Sequence, residues 1–265
     1  MSVGANFSYL YGDITHQSMT AIGATDTRSI KLDKFSISDY KLDFGLQYTY
    51  KLNKKNTINV GAVYTLGHTL HGDAYKYHQT GTESNGSIYV QSQTGDTIPN
   101  PFKMPHTFGA GLTYVYDNRL TIGVDYTLQK WNTADLAWSK FNKESVEMNS
   151  RTKIAFGAEF VPSYISHNYL KRIRYRMGAY CSSPYNKVSY TSPDTGTTSF
   201  QDGAREYGVS IGFGLPMFQS KSMLNISGQY IKVSPKFKGL MEENYLRINI
   251  GLTFNERWFM KWKVD

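Results

Sequence analysis

The stretch Tyr245-Leu-Arg-Ile-Asn-Ile-Gly-Leu-Thr-Phe254 decides the fold. Leu246, Ile248, Ile250, Leu252 and Phe254 alternate with Arg247, Asn249, Gly251 and Thr253. A strand sends successive side chains to opposite faces, so this segment has one apolar face and one polar face. The same alternation recurs in nine further stretches. Their apolar members begin at Val3, Tyr40, Ile58, Phe108, Leu120, Ile154, Ile173, Tyr207 and Leu224. Several of these stretches run to about ten residues, the length a strand needs to cross a bilayer at a tilt. The chain therefore reads as an all-β, antiparallel transmembrane barrel of about ten strands, with residues 1–265 forming a single outer-membrane domain.

The connections support that reading. Short ones fall at residues 52–56, at Asp117-Asn118 and at 218–221, with a somewhat longer one at 162–170. Long ones fall at residues 12–35, 70–105, 132–149, 182–204 and 235–243, and within the second of these Ser87 to Gln93 is expected to form a small hairpin strand. Long and short connections alternate, as extracellular loops and periplasmic turns do in outer-membrane barrels. The first strand then runs outward and the last runs inward. A soluble β-sandwich would also alternate, but its strands usually have about five or six residues.

Composition narrows the alternatives. Mean hydropathy is -0.45, and no run reaches the roughly 18 apolar residues of a spanning helix. Tyrosine occurs 21 times and aromatics make up 15% of the chain, which suits interfacial girdles. The formal charge of +8 comes without a nucleic-acid motif, so no nucleic-acid partner is expected. The expected surroundings are outer-membrane lipid and lipopolysaccharide, with the protein a monomer in the bacterial outer membrane. Residues 1–12 lack the basic and apolar regions of a signal peptide, so an exported protein is expected to carry further sequence upstream. Cys181 reads as a packed thiol, and no cofactor or metal is expected.

The polar faces hold the candidate site. Arg172, Arg174 and Arg176 share one side of the seventh stretch, with Arg247, Lys153 and Asp125 on neighbouring strands. An arginine facing lipid at the midplane costs roughly 2–4 kcal/mol, so this side is assigned to the lumen. As a ligand-binding stripe these residues would attract a carboxylate through the planar guanidinium fork. As a structural network they would pair with inward acids such as Glu159 and prop the barrel. Near the outer rim, His68, His71 and Asp73 could form a hydrolytic His–Asp pair, although a polar loop is the plainer reading. Trp131 and Trp138 bracket a surface loop and could belong to the aromatic girdle.

Three stretches carry a family resemblance. Ile98-Pro-Asn-Pro-Phe-Lys-Met-Pro-His-Thr-Phe-Gly-Ala-Gly-Leu-Thr-Tyr114 resembles the proline-bearing strand entry of the long-chain fatty acid outer-membrane transporters (FadL type). Asn118-Arg-Leu-Thr-Ile-Gly-Val-Asp-Tyr126, with Gln129-Lys-Trp131, resembles their following hairpin. Phe254-Asn-Glu-Arg-Trp-Phe259 resembles their closing strand. The resemblance implies the C-terminal portion of a fourteen-strand barrel, without its N-terminal strands and its lumen hatch. It also implies non-enzymatic transport of hydrophobic solutes such as long-chain fatty acids. A ten-stranded barrel hydrolase and a structural or adhesive barrel are the alternatives.

Overall fold

The computed structural model describes residues 1–21, 27–84, 87–133, 147–191, 198–217, 222–235 and 241–254. Among them are β1 (Ser2–Ala21), β2 (Thr27–Lys51), β3 (Asn56–Thr65), β4 (Gly72–Ser84), β5 (Ser87–Pro99), β6 (Thr107–Tyr116) and β7 (Leu120–Gln129). There follow β8 (Arg151–Phe160), the four-residue helix α1 (Tyr169–Arg172), β9 (Arg174–Ser182), β10 (Lys187–Thr191) and β11 (Thr198–Asp202). β12 (Ala204–Pro216), β13 (Met223–Pro235) and β14 (Glu243–Thr253) complete the order.

Ten strands form a wall in the order β1-β2-β3-β6-β7-β8-β9-β12-β13-β14, every neighbouring pair antiparallel. Registers hold the apolar residues in continuous rows. One row runs Tyr48, Val60, Leu112, Val124, Phe156, Ala179 and Val209. On that face Ile211 is 64%, Ile248 68% and Ile250 73% exposed. A sandwich would have covered them with a second sheet; among the described residues nothing covers the apolar face.

Turn chemistry fixes the short ends. Asp117 and Asn118 have φ of 49° and 54°, and the Arg119 amide donates to the Tyr116 carbonyl at 2.8 Å. Two successive left-handed residues make the turn whose twist matches a hairpin, and Asp and Asn tolerate that conformation. At the β2–β3 turn, the Asn53 carboxamide oxygen accepts the amides of Lys55 and Asn56, each at 2.9 Å.

Four corrections follow. First, the described residues form an open sheet and not a closed barrel: β1 pairs only with β2 and β14 only with β13. Alternation fixes faces, whereas closure depends on shear and tilt, which the pattern does not carry. Second, residues 12–35 and 70–105 are not simple loops. β1 and β2 run on beyond the wall, β4 joins the first half of β2, and β5 joins β4, making a four-stranded blade. A further hairpin, β10–β11, occupies part of 182–204. Third, Ile173 is no outward strand residue; it follows α1 and is 7% exposed, buried like Val161 across the same connection. Fourth, Cys181 is exposed on the apolar face, opposite Ile154 and Tyr207, not packed away. The alternation of the last strand could run on to Trp258, but residues 255–258 lie outside the described residues.

The blade is anchored at the rim by a small core. Phe35, Ala74 and Ile98 lie in one cross-strand row; Ala74 and Ile98 are buried, and Phe102 closes on Phe35 with ring centroids 5.3 Å apart. Residues 100–106 fold back against this rim, with the Leu70 amide donating to the Phe102 carbonyl and the Met104 amide to the His68 carbonyl.

Candidate functional site

Two polar constellations stand out, one on the polar face of the wall and one where the blade leaves it. On the wall, Glu159 of β8 and Arg176 of β9 are register partners. The Arg176 Nε donates to Glu159 Oε2 at 2.7 Å, and Arg174 Nη1 donates to Oε1 at 3.1 Å. Arg176 also donates to Asn225 of β13 at 2.8 Å. This reach across β12 is possible because Gly212 stands between them; a Cβ there would meet Ser227 and the Arg176 stem. One carboxylate thus takes two guanidinium groups, and the cluster spans β8, β9 and β13.

Higher on the same face, Arg151 faces Glu206 at 3.6 Å, and the Tyr180 hydroxyl donates to Glu206. Lys153 Nζ sits 4.4 Å from the Tyr180 ring centroid, close enough for a cation–π contact. The Tyr180 ring lies over Gly208, where any Cβ would collide with it. Asp125 faces Gly111 in the same way. Arg247 is opposite Gln229 on the polar parity of β14. Arg172 does not join this stripe. It belongs to α1, capped by Asn168, and its guanidinium lies over the Tyr169 ring. A Tyr-Leu-Lys-Arg turn of helix breaks the two-residue period that had aligned Arg172 with Arg174.

At the rim, β2 changes partner. Up to Ile37 it pairs with β4, and from Asp43 with β3. Asp39 lies in the gap and is 4% exposed. Its Oδ2 accepts the His71 amide at 2.6 Å and faces His71 Nδ1 at 3.1 Å; Oδ1 accepts the Tyr40 amide at 2.7 Å and lies 3.3 Å from His68 Nε2. The His68 ring stacks on Tyr40 with centroids 4.6 Å apart. Burial by itself would raise the Asp39 pKa. The donated hydrogen bonds, led by the His71 and Tyr40 amides, outweigh it and hold the carboxyl at about 2.

Sequence reasoning had paired these histidines with Asp73. Asp73 instead faces Tyr75, so the expected rim pair is replaced by a clasp around Asp39. Asp39 was missed because its partners come from a segment some thirty residues on. Its polar parity, one residue before Tyr40 of the apolar face, was the available signal. Trp131 donates to Gln129 at 3.1 Å and lies beside Tyr185; Trp138 lies outside the described residues. Among the described residues, no group of three or more His, Cys, Asp or Glu side chains is placed to hold a metal, and no helix is long and apolar enough to cross a membrane.

The fold and these constellations define an all-β protein with one amphipathic antiparallel sheet, apolar on one face and charged on the other. A family model described as BamG matches residues 1–265, and the chain belongs to the BamG family. It is thereby an outer-membrane-associated bacterial protein. The fatty acid transporter resemblance and the lipid-transport function drawn from it are overturned by this match. Two of the stretches that suggested them are a rim segment leading into β6 and the β6–β7 hairpin, whose composition barrel-type walls share, and the third, beyond Phe254, lies outside the described residues. No curated protein matches the chain.

Among solved structures, it is similar to the RagAB peptide importer in the "closed-closed" state (TM-score 0.39, 11% identity, 90% of this chain and 35% of that chain). It is similar too to the RagAB peptide transporter (0.39, 9%, 90% and 35%) and to the importer in the "open-open" state (0.38, 12%, 90% and 34%). The chain spans about a third of the length of those chains.

Proposed function

We propose that the wall is part of an integral outer-membrane barrel and that the protein serves, without catalysis, as a structural component of outer-membrane biogenesis. One observation carries the reading: the bare apolar face. Ten strands at about 4.8 Å spacing and about 30 Å of height present on the order of 1,400 Å². Soluble monomers rarely expose contiguous apolar patches larger than about 300–600 Å². Hydrocarbon covers such a face at no cost, and the charged opposite face then lines a wet interior. Tyr9, Tyr11 and Tyr40 stand at one end of the wall, where aromatic side chains meet lipid and lipopolysaccharide headgroups. The long connections face the cell exterior on this reading. The relation of the BamG family to the BAM complex supports the role in biogenesis.

Membrane fractionation with a heat-modifiability gel tests the location. Depletion in the native bacterium, followed by quantitative outer-membrane proteomics, tests the role. The expected result is a several-fold fall in other barrel proteins. A protein found only in soluble fractions defeats the first part, and an unchanged outer-membrane proteome defeats the second.

A further inference from the structure

Beyond the wall, the blade formed by β1, β2, β4 and β5 has two unlike faces. The side continuous with the polar face bears Lys31, Asp33, Lys76 and Asp96. The side continuous with the apolar face is uncharged through its centre. One row there passes through Gln17, Leu32 and Tyr77, and the next through Met19, Ile30 and Gln79. A groove of about 300 Å³ is lined by Gln17, Ile30, Leu32, Tyr77, Gln79 and Gln93, and within it Gln79 donates to Gln93 at 3.1 Å. Nearer the membrane the same face carries Lys34 and, one row lower, Asp13 and Asp73.

Lipid does not reach this surface. From Tyr11 to Ala21 β1 rises roughly 30 Å, whereas the headgroup layer adds only about 5–8 Å on each side of the hydrocarbon. The phosphates of lipopolysaccharide call for clustered lysines and arginines; the two central rows have none, and on this face of β2 Lys34 in the row below and Arg28 in the row above are separated by Leu32 and Ile30. Four strands of that height offer on the order of 600 Å², near the roughly 800 Å² that each partner contributes to a standard protein interface. A second copy is a poor fit. Two copies in one membrane are related by an axis along its normal, so equal heights meet: Lys34 would face Lys34, and Asp73 would face Asp73.

We propose that this outer face of the blade docks a different outer-membrane protein. Its projecting part presents an uncharged apolar and amide surface, with a basic group at the height of Asp13 and Asp73 and an acidic group at the height of Lys34. The proposal rests on the membrane reading above.

The test places a photo-crosslinking amino acid at Leu32 or Gln79, and on the opposite face at Lys31 or Lys76, in the full-length protein at native level in living cells. The expected result is one adduct from Leu32 and Gln79 alone, identified by mass spectrometry as a single other protein. With the probe at Gln79, Lys34→Glu and Leu32→Glu each reduce that adduct at least fivefold, and the heat-modifiable band is unchanged. Lys34 is exposed, so its variant reports docking even where Leu32→Glu fails to fold. Adducts only between copies of this chain, adducts only to lipopolysaccharide, equal adducts from both faces, or none at all overturn the proposal. The same cells are fractionated. Absence from the outer membrane defeats the membrane reading, whereas residence there without the adduct defeats only the docking.

Discussion

Replacing Ile211 with arginine tests what the apolar face touches. Ile211 lies mid-strand in β12, between Met177 of β9 and Gly228 of β13, and is 64% exposed. Facing hydrocarbon near the midplane, Ile211→Arg costs about 2–4 kcal/mol. At 1.4 kcal/mol per decade, this is roughly a 25- to 700-fold loss in the folding equilibrium. Facing water, a surface substitution falls within about 0.5 kcal/mol. Thr121→Arg is the matched control. It lies one row away on the polar face, directly opposite Glu159, so its new charge meets an acid. The assay is reversible denaturant unfolding in lipid vesicles, followed by tryptophan fluorescence and by the heat-modifiable gel shift. The expected order is a large loss for Ile211→Arg and a change near zero for Thr121→Arg. Equal, small effects from both variants would refute the assignment of the apolar face to lipid.

Four further outcomes follow from the polar constellations. Asp39→Ala removes a buried acceptor of charge-assisted hydrogen bonds, and peptic cleavage within residues 66–72 should become several-fold faster at pH 4. In the unaltered protein, the Asp39 pKa of about 2 lies below its ordinary 3.8. Its contribution is therefore present above about pH 4 and lost as pH falls toward 2, so protection of that segment from pepsin should decline across this window and not above it. Glu159→Ala strands Arg174 and Arg176, but all three groups are a quarter to a third exposed, so vesicle unfolding should show a loss of only about 1 kcal/mol. Gly208→Ala drives a methyl into the Tyr180 ring and should cost about 1–3 kcal/mol in the same measurement.

The wall was legible in the sequence because a sheet with one apolar and one polar face writes a strong two-residue period. The apolar rows from Tyr48 to Val209 lie where that period placed them. The blade was legible only at Ser87 to Gln93, which lies in β5. Its other strands mix polar residues into both faces, so Lys31 and Lys76 on one face and Gln17 and Gln79 on the other give little contrast. Cross-strand hydrogen bonding, not side-chain partition, makes them strands. Arg172 misled because a capped helical turn imitates strand spacing over three residues. The Asp39 clasp depends on a fork in pairing, and pairing between distant segments leaves no local trace. Arg174, Arg176 and Glu159 were legible as residues of one face; which acid each arginine meets was set by register.

β2 is a single strand of 25 residues, roughly 80 Å at 3.3 Å per residue, held by β4 over one half and β3 over the other. A continuous strand does not hinge without breaking its ladder. Any sideways load on the blade tip is therefore delivered, through the Asp39 clasp, as torque on the wall. In mechanical terms β2 is a lever arm with its fulcrum at the rim of the wall.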